Sequence, residues 1–169
     1  EDIESFARGF DQLVALQPHE IQFGILKRLR GAPIDRHSKT YGLIFDSSPP
    51  YTILATDRID FNEMQRLVRF ARYWDLVANS GRFKELLPEL LSDSPFARFI
   101  CLSDWLYAKT DATHRISPDR LAGLLNEWLN WMNQETSGDI TQQKGDATTS
   151  SIAEPKVLAT QRQQRHQAA

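Results

Sequence analysis

The sequence contains very little cysteine, since Cys101 is the only one among 169 residues. A single thiol excludes an internal disulfide, a four-thiolate iron-sulfur site and a zinc ribbon. Motifs for a phosphate-binding loop, a nucleophile elbow or a set of zinc ligands are also missing, and no pair of carboxylates stands out. The sequence therefore identifies no catalytic residue, and we expect no metal or cofactor site within this chain.

Long apolar runs and an excess of basic charge are absent as well. No stretch approaches the ~18 consecutive apolar residues that span a bilayer, and no charged-then-apolar signal segment opens the chain. The formal net charge of −2 disfavours a dedicated nucleic-acid binder, because such proteins neutralise phosphates with Lys and Arg. We expect a cytoplasmic protein with no membrane contact.

The rest of the composition is typical of one globular domain. Apolar residues make up 41% and charged residues 25%, so the chain can bury a core of ordinary size. We expect a folded helical domain over residues 1–135. From Thr136 onward no aromatic residue occurs, and residues 136–169 are predicted to be a disordered tail because too little apolar surface offsets the entropy of ordering. The chain also begins without methionine, which suggests a piece of a longer polypeptide.

Hydrophobic periodicity predicts a mainly α fold, a bundle of five to six helices. The first helix is expected from Ile3 to Leu16. The stretch from Pro18 to Ile34 also has apolar residues at helical spacing, with a proline suited to a first turn, and is predicted to be an amphipathic helix. Gln22 would lie inside its apolar stripe.

Four more helical segments follow in the second half of the domain. A long helix should begin at a capping box formed by Asp60 and Glu63 and should end near Asn79. The others are a helix from Phe83 to Leu91 interrupted at Pro88, a central helix from Ser94 to Lys109, and a last helix that begins at Ser117. Within the central helix, Cys101 is expected to pack as a small apolar group.

Between the helix predicted at residues 18–34 and the helix that begins at Asp60, the period of the hydrophobic pattern changes to two. Tyr41, Leu43 and Phe45 alternate with other residues, Asp46–Pro50 supplies turn residues, and the alternation then resumes. We predict one small β-hairpin near residues 41–55. Two strands alone are marginally stable in water, so the hairpin should pack on helices or join the sheet of another domain.

Five polar residues are candidates for a polar pocket or a domain contact: Gln22, His37, Asp75, Asn79 and Arg82. Gln22 is either a helix-edge amide or a buried amide that meets a polar ligand or the backbone of a neighbouring domain. His37 is either a solvated or a functional loop histidine. Asp75 lies in a predicted apolar stripe and should be paired with an arginine or with backbone amides. Together with Asn79 and Arg82, it would form an anchor for the next helix or a binding pocket.

An arginine row, Arg66, Arg69 and Arg72, follows one flank of the long helix at three-residue spacing. It is either a solvated basic flank or a set of contacts to phosphate groups.

Three segments carry a family resemblance: FDQLVALQPHEIQFGILKRLRGAPI, HSKTYG and DLVANSGRF. They resemble the C-terminal domain of uncharacterised function in cobalamin-binding radical-SAM proteins, often described as iron-sulfur oxidoreductases. The resemblance runs from about Phe10 to about Leu91 and includes no catalytic signature. It implies that the iron-sulfur cluster, S-adenosylmethionine and cobalamin belong to preceding domains of the same polypeptide.

The resemblance further implies an accessory domain that packs on the radical-SAM barrel and helps to shape its substrate pocket. The first helix would then present Phe6 and Phe10 to the barrel, so that both are exposed in this chain. The alternative is a stand-alone helical interaction module that uses the Phe6 and Phe10 face or the arginine row to hold a protein or RNA. A CxxxCxxC motif upstream in the reading frame would favour the accessory domain.

Overall fold

The computed structural model describes residues 1–142, with their side chains except those of Asp35 and residues 135–142. Five α-helices lie in this part of the chain: α1 (Ile3–Ala15), α2 (Phe61–Trp74), α3 (Leu87–Leu91), α4 (Pro95–Thr110) and α5 (Pro118–Gln142). Two short strands accompany them, β1 (Ile44–Phe45) and β2 (Ile53–Ala55). The predicted class, mainly α with one small hairpin, is confirmed.

Helix α4 lies at the centre of the core. It packs against α1, α2, α3 and α5, and Phe99, Leu102 and Leu106 are fully buried. Around it, aromatic rings meet edge to face, an arrangement that adds to the stabilisation from burial. The ring of Trp74 lies 4.9 Å from that of Phe99 and 4.9 Å from that of Phe10. The central position predicted for this helix is confirmed.

Cys101 does not share the buried position of its neighbours and is exposed on α4. The buried residues Phe99, Leu102 and Leu106 recur every three or four positions and form one stripe, while Cys101 falls on the other side of the helix. The prediction that its thiol packs in the core is therefore wrong.

Helix α1 has nearly the predicted bounds, but its aromatic face is covered. Phe10 is only 2% exposed. The ring of Phe6 lies 5.8 Å from the ring of Phe23 and 5.8 Å from that of Phe96. The expectation that Phe6 and Phe10 are exposed is wrong, because the chain's own aromatic residues cover this face.

The stretch from Pro18 to Ile34 is not an α-helix, and this prediction is also wrong. Residues 20–28 are extended, and we call them the extended segment. Near its end, Lys27 forms an antiparallel bridge with Thr52. The Arg28 N–H donates to the Tyr51 carbonyl at 2.9 Å, and the Ile53 N–H donates to the Leu26 carbonyl at 2.9 Å. The extended segment therefore pairs with the strand that also pairs with β1.

Burial along the extended segment shows why the strand-like conformation is preferred. Ile21, Phe23 and Ile25 are buried or half-buried, whereas Gln22 and the other intervening residues are exposed. This alternation is the period of a strand. Isoleucine and phenylalanine favour strands, and a glycine inside a helix costs about 1 kcal/mol relative to alanine. The packing of one face on the helices decides the conformation.

The hairpin is confirmed, with β1 and β2 antiparallel and Phe45 paired with Ile53. β2 thus lies between β1 and the extended segment, and it packs on α2. Gly42 has a φ of +56°, and a Cβ there would lie 3.1 Å from the Asp57 nitrogen. Glycine is favoured at this turn because the conformation is left-handed and a neighbouring backbone is close.

The other predicted helix boundaries agree with the structure within one or two residues, except that the helix predicted from Phe83 begins at Leu87, because residues 83–86 form turns. Asp60 and Glu63 form the capping box of α2, whose last turn continues as a π-helical turn, Asp75–Asn79. Pro88 lies in the first turn of α3. Helix α5 is described to Gln142, and the rest of the predicted tail, residues 143–169, lies outside the described residues. None of the described helices is both long and apolar enough to cross a membrane.

Candidate functional site

A cleft of about 900 Å³ lies between the extended segment, the hairpin and α2. Most of the side chains that line it are apolar. α1 and α2 contribute Phe6, Met64, Leu67 and Ala71, the extended segment contributes Gln22, Phe23, Gly24, Ile25 and Leu26, and the hairpin region contributes Tyr41, Leu43, Ile53 and Ile59. A cleft of this size, mainly apolar with a few polar groups at its edge, is typical of a ligand-binding site.

The cleft opens where two paired strands separate. The extended segment and β2 are hydrogen-bonded on both sides of the Lys27–Thr52 bridge. Between Leu26 and Gln22 the extended segment makes no further hydrogen bond to β2. On its other side the hairpin stays paired, since Ala55 pairs with Ile44 and the Asp57 N–H donates to the Tyr41 carbonyl at 3.0 Å. Within the described residues, the backbone of residues 22–25 makes no hydrogen bond.

The charges around the cleft are mainly acidic. Glu1, Asp57 and Arg58 line it, and Arg58 Nη1 lies 3.5 Å from the Asp2 carboxylate. The pKa of Asp2 is lowered, first because its carboxylate accepts the Ser5 N–H at 2.9 Å and then because of the Ser5 hydroxyl. Arg58 is therefore opposed by an anion, and Glu1 and Asp57 give the cleft a negative balance.

A shallower depression of about 460 Å³ adjoins the π-helical turn. It is lined by Glu20, Gln22, Phe23, Asp75, Asn79 and Ser80. The Asn79 side chain accepts the Ile21 N–H at 3.3 Å and donates to the Ile21 carbonyl at 2.9 Å. It also donates to Asp75 Oδ1 at 2.9 Å. Asn79 thus holds the extended segment against the end of α2.

The structure brings Gln22, Asp75 and Asn79 together at this depression. Gln22 is exposed and donates to Glu20 Oε1 at 3.0 Å, so its expected position in an apolar stripe is wrong. Asp75 is exposed as well and accepts from the Asn79 amide, in place of the expected arginine or backbone amides.

The other two candidate residues lie apart from the depression. His37 ends a 3-10 turn, Pro33–His37, with its ring 6.0 Å from that of Tyr41. Arg82 follows the π-helical turn, and its N–H donates to the Ser80 hydroxyl at 3.3 Å. Neither lines the depression.

The arginine row is largely engaged by α4. Arg66 Nε donates to Asp104 Oδ2 at 3.0 Å, and this hydrogen bond raises the pKa of Arg66. The Arg69 guanidinium lies 4.6 Å from the centre of the Tyr107 ring. Arg72 is exposed. Two of the three arginines therefore help to attach α2 to α4.

Sequence reasoning missed the cleft itself, because its lining depends on the conformation of the extended segment. The alternation of Ile21, Phe23 and Ile25 was the signal that could have indicated it. Among the described residues, no three His, Cys, Asp or Glu side chains are close enough to hold a metal ion.

The fold and the cleft define a small mainly α domain in which a hairpin and an extended segment cover one side of a helical core. The chain belongs to a family of proteins of unknown function, DUF4080, whose model matches residues 39–150. This range includes the hairpin and helices α2 to α5. No curated protein and no solved structure matched the chain.

Proposed function

We propose that this chain is the C-terminal accessory domain of a cytoplasmic, cobalamin-dependent radical-SAM protein, an iron-sulfur oxidoreductase or methyltransferase-like enzyme. The segments between Phe10 and Leu91 that resemble such domains support the proposal. In this arrangement the iron-sulfur cluster, S-adenosylmethionine and cobalamin belong to the preceding domains. The chain contributes packing surface to the catalytic barrel and helps to shape its substrate pocket.

The observation that carries the proposal is an apolar surface on the hairpin side, which we call the hairpin face. Its members are Leu26 (41% exposed), Leu29 (63%), Tyr41 (53%), Ile44 (57%) and Tyr51 (37%). They lie on neighbouring strands and turns. Exposed apolar residues gathered in one region are typical of a surface that contacts another protein. A neighbouring domain of the same polypeptide would cover the hairpin face.

The alternative, a stand-alone interaction module, was based on surfaces that the fold uses internally. Phe10 is buried and Phe6 packs on Phe23 and Phe96. Arg66 and Arg69 contact α4 through Asp104 and Tyr107. The same burial argues against a barrel contact through Phe6 and Phe10, so we propose that the accessory domain contacts the barrel through the hairpin face instead.

The reading frame upstream of Glu1 gives the first test. We expect it to encode a CxxxCxxC motif in a radical-SAM barrel, and a frame without that motif would contradict the proposal.

The hairpin face can then be tested in the complete polypeptide. Ile44→Lys should increase amide exchange on both sides of the domain contact, because a charge would be placed in an apolar interface. Trp131→Lys, which changes a side chain 42% exposed on α5, is the matched control and should leave exchange unchanged. Equal exchange in both variants would show that the hairpin face is not the contact.

The chain of 169 residues should bind neither cobalamin nor S-adenosylmethionine in isothermal titration calorimetry. Saturable binding of either compound would place cofactor chemistry in this domain and would contradict the proposal.

A further inference from the structure

The cleft contains a strand edge whose hydrogen-bonding groups are free. Backbone groups of alternate residues in a strand point to the same edge. The Leu26 carbonyl and the Arg28 N–H both bond to β2 residues, so even-numbered residues direct these groups towards β2. The Ile21 N–H and carbonyl bond to Asn79, which agrees with the opposite direction for odd-numbered residues.

By this alternation, the N–H and carbonyl groups of Gln22 and Gly24 point to the β2 side of the segment, where β2 makes no hydrogen bond with them. That side is the cleft, which is lined by five consecutive residues of the extended segment, from Gln22 to Leu26. If only one face of the strand lined the cleft, every second residue would contribute. Because consecutive residues contribute, the backbone edge of the strand also lines the cleft. Within the described residues, nothing bonds to this edge.

Space beside the edge suits the approach of another backbone. A Cβ built on Gly24 would meet no atom within 4 Å, and no side chain of residue 24 stands in the way. Leu26 and Tyr41, which are 41% and 53% exposed, line the same cleft and offer apolar surface to the side chains of an incoming strand. An added strand would gain main-chain hydrogen bonds and side-chain burial together.

We propose that the cleft binds an extended peptide segment of a partner protein by strand addition to residues 22–24. Alternate side chains of this peptide are apolar and face the cleft. The others are basic, because Glu1 and Asp57 line the cleft and Arg58 is opposed by Asp2. This inference stands without the proposed function, although Leu26 and Tyr41 line the cleft and also belong to the hairpin face.

The probe is a capped hexapeptide of alternating lysine and valine, added to the full ¹⁵N-labelled chain and followed by NMR. We expect saturable shifts at residues 20–26 and 53–59. The same peptide methylated on all backbone nitrogens should bind at least roughly tenfold more weakly, because it cannot donate main-chain hydrogen bonds to the strand edge. An alternating glutamate and valine peptide should also bind more weakly. No saturable binding of the first peptide, or equal binding of the methylated one, would overturn the proposal.

A matched pair of variants tests the edge. Gly24→Pro removes the N–H at the proposed contact and should weaken binding roughly tenfold. Gly24→Ala keeps the N–H and should bind within about twofold of the natural chain, since the added methyl group meets nothing. Equal affinities of the two variants would contradict strand addition. Circular dichroism would verify that both retain their helices.

Amide hydrogen exchange of the chain without peptide tests whether another part of the chain or a second copy, rather than a partner peptide, occupies the cleft. The Gln22 and Gly24 amides should exchange rapidly at all protein concentrations and become protected when the lysine and valine peptide is added. Protection in the free chain would show that another part of the chain occupies the cleft. Protection that appears only as protein concentration rises would assign the edge to a second copy. Either result would overturn a partner peptide as the occupant.

Discussion

Asn79 stabilises the extended segment through a side chain that replaces a neighbouring strand. Its amide group accepts one hydrogen bond from Ile21 and donates one to it, as the backbone of a paired residue would. The proximity of Asn79 to Asp75 could be predicted, because residues four apart lie on the same face of a helix. The contact with Ile21 spans 58 positions in sequence, and local periodicity contains no information about it.

Asn79→Ala should lower the free energy of unfolding by about 1–2 kcal/mol, because it removes both hydrogen bonds to Ile21. Urea unfolding followed by circular dichroism gives the measurement. Gln22→Ala, which changes an exposed amide in the same depression, is the control and should have a much smaller effect. Equal midpoints for the two variants would mean that Asn79 does not hold the extended segment.

Gly42 and Gly24 form a second comparison at the scale of single residues. Gly42→Ala should destabilise the chain by roughly 1–3 kcal/mol, because φ is +56° and the new methyl group would lie 3.1 Å from the Asp57 nitrogen. Gly24→Ala should be neutral or slightly stabilising, since its Cβ meets nothing. Thermal unfolding compares them, and a similar loss in both would contradict the reason given for Gly42.

Helices with clear end signals could be predicted from sequence, whereas the extended segment could not. The capping box of Asp60 and Glu63 and the proline of α5 at Pro118 are local signals, and both helices begin as expected. In residues 18–34, apolar residues fit both a period of 3.6 and a period of two. Packing of Ile21, Phe23 and Ile25 on the helices, together with pairing at Lys27, decided between them, and both are tertiary contacts. The cleft depends on this choice, so it could not be predicted either.

Helix α4 shows a cap that local sequence also does not reveal. Ser94 occupies the N-cap position as expected, but its side chain makes no capping hydrogen bond. The Phe96 N–H donates instead to Asp11 Oδ1 at 2.7 Å, from α1. A carboxylate at a helix N-terminus satisfies a free N–H and interacts favourably with the helix dipole.

Asp11→Ala should therefore lower the free energy of unfolding by about 0.5–2 kcal/mol, the usual range for the loss of a cap. Asp93→Ala removes an exposed carboxylate near the same helix end and should cost less, because no capping hydrogen bond is lost. Guanidinium unfolding of both variants measures the difference. An equal loss would indicate that general charge, rather than the bond to Phe96, stabilises this helix end.

At the scale of the whole molecule, Tyr73 connects α2 to the end of α4. Its side chain is fully buried, and its hydroxyl donates to the Ala112 carbonyl at 2.8 Å. The same hydroxyl lies 3.2 Å from the Thr110 hydroxyl. Burial raises the pKa of Tyr73, since the interior disfavours the phenolate.

Stability should fall in alkaline solution because of this tyrosine. The folded chain holds its proton more strongly than the unfolded chain, whose tyrosine titrates near pH ~10. The contribution of Tyr73 is therefore complete below that pH and is lost as pH rises through the raised pKa of the folded state. Urea unfolding at several pH values between about 8 and 11.5 measures the fall.

Tyr73→Phe should be less stable than the natural chain at pH ~8 by about 1 kcal/mol and should show a flatter decline above pH ~10. Tyr51→Phe, at a tyrosine 37% exposed, is the control and should keep the steeper decline. The same slope in the natural chain and in Tyr73→Phe would contradict a raised pKa at this position.

The joining of α1 to α4 has a consequence for biosynthesis. Asp11 and its partner Phe96 are 85 positions apart, and at about 5–20 residues per second a ribosome needs roughly 4–17 s to add that many. Until Phe96 has been added and has left the ribosome, its ring cannot cover Phe6 and Phe10. The aromatic face of α1 therefore lacks part of its final cover for several seconds of synthesis, and chaperones that bind emerging polypeptides would have access to it.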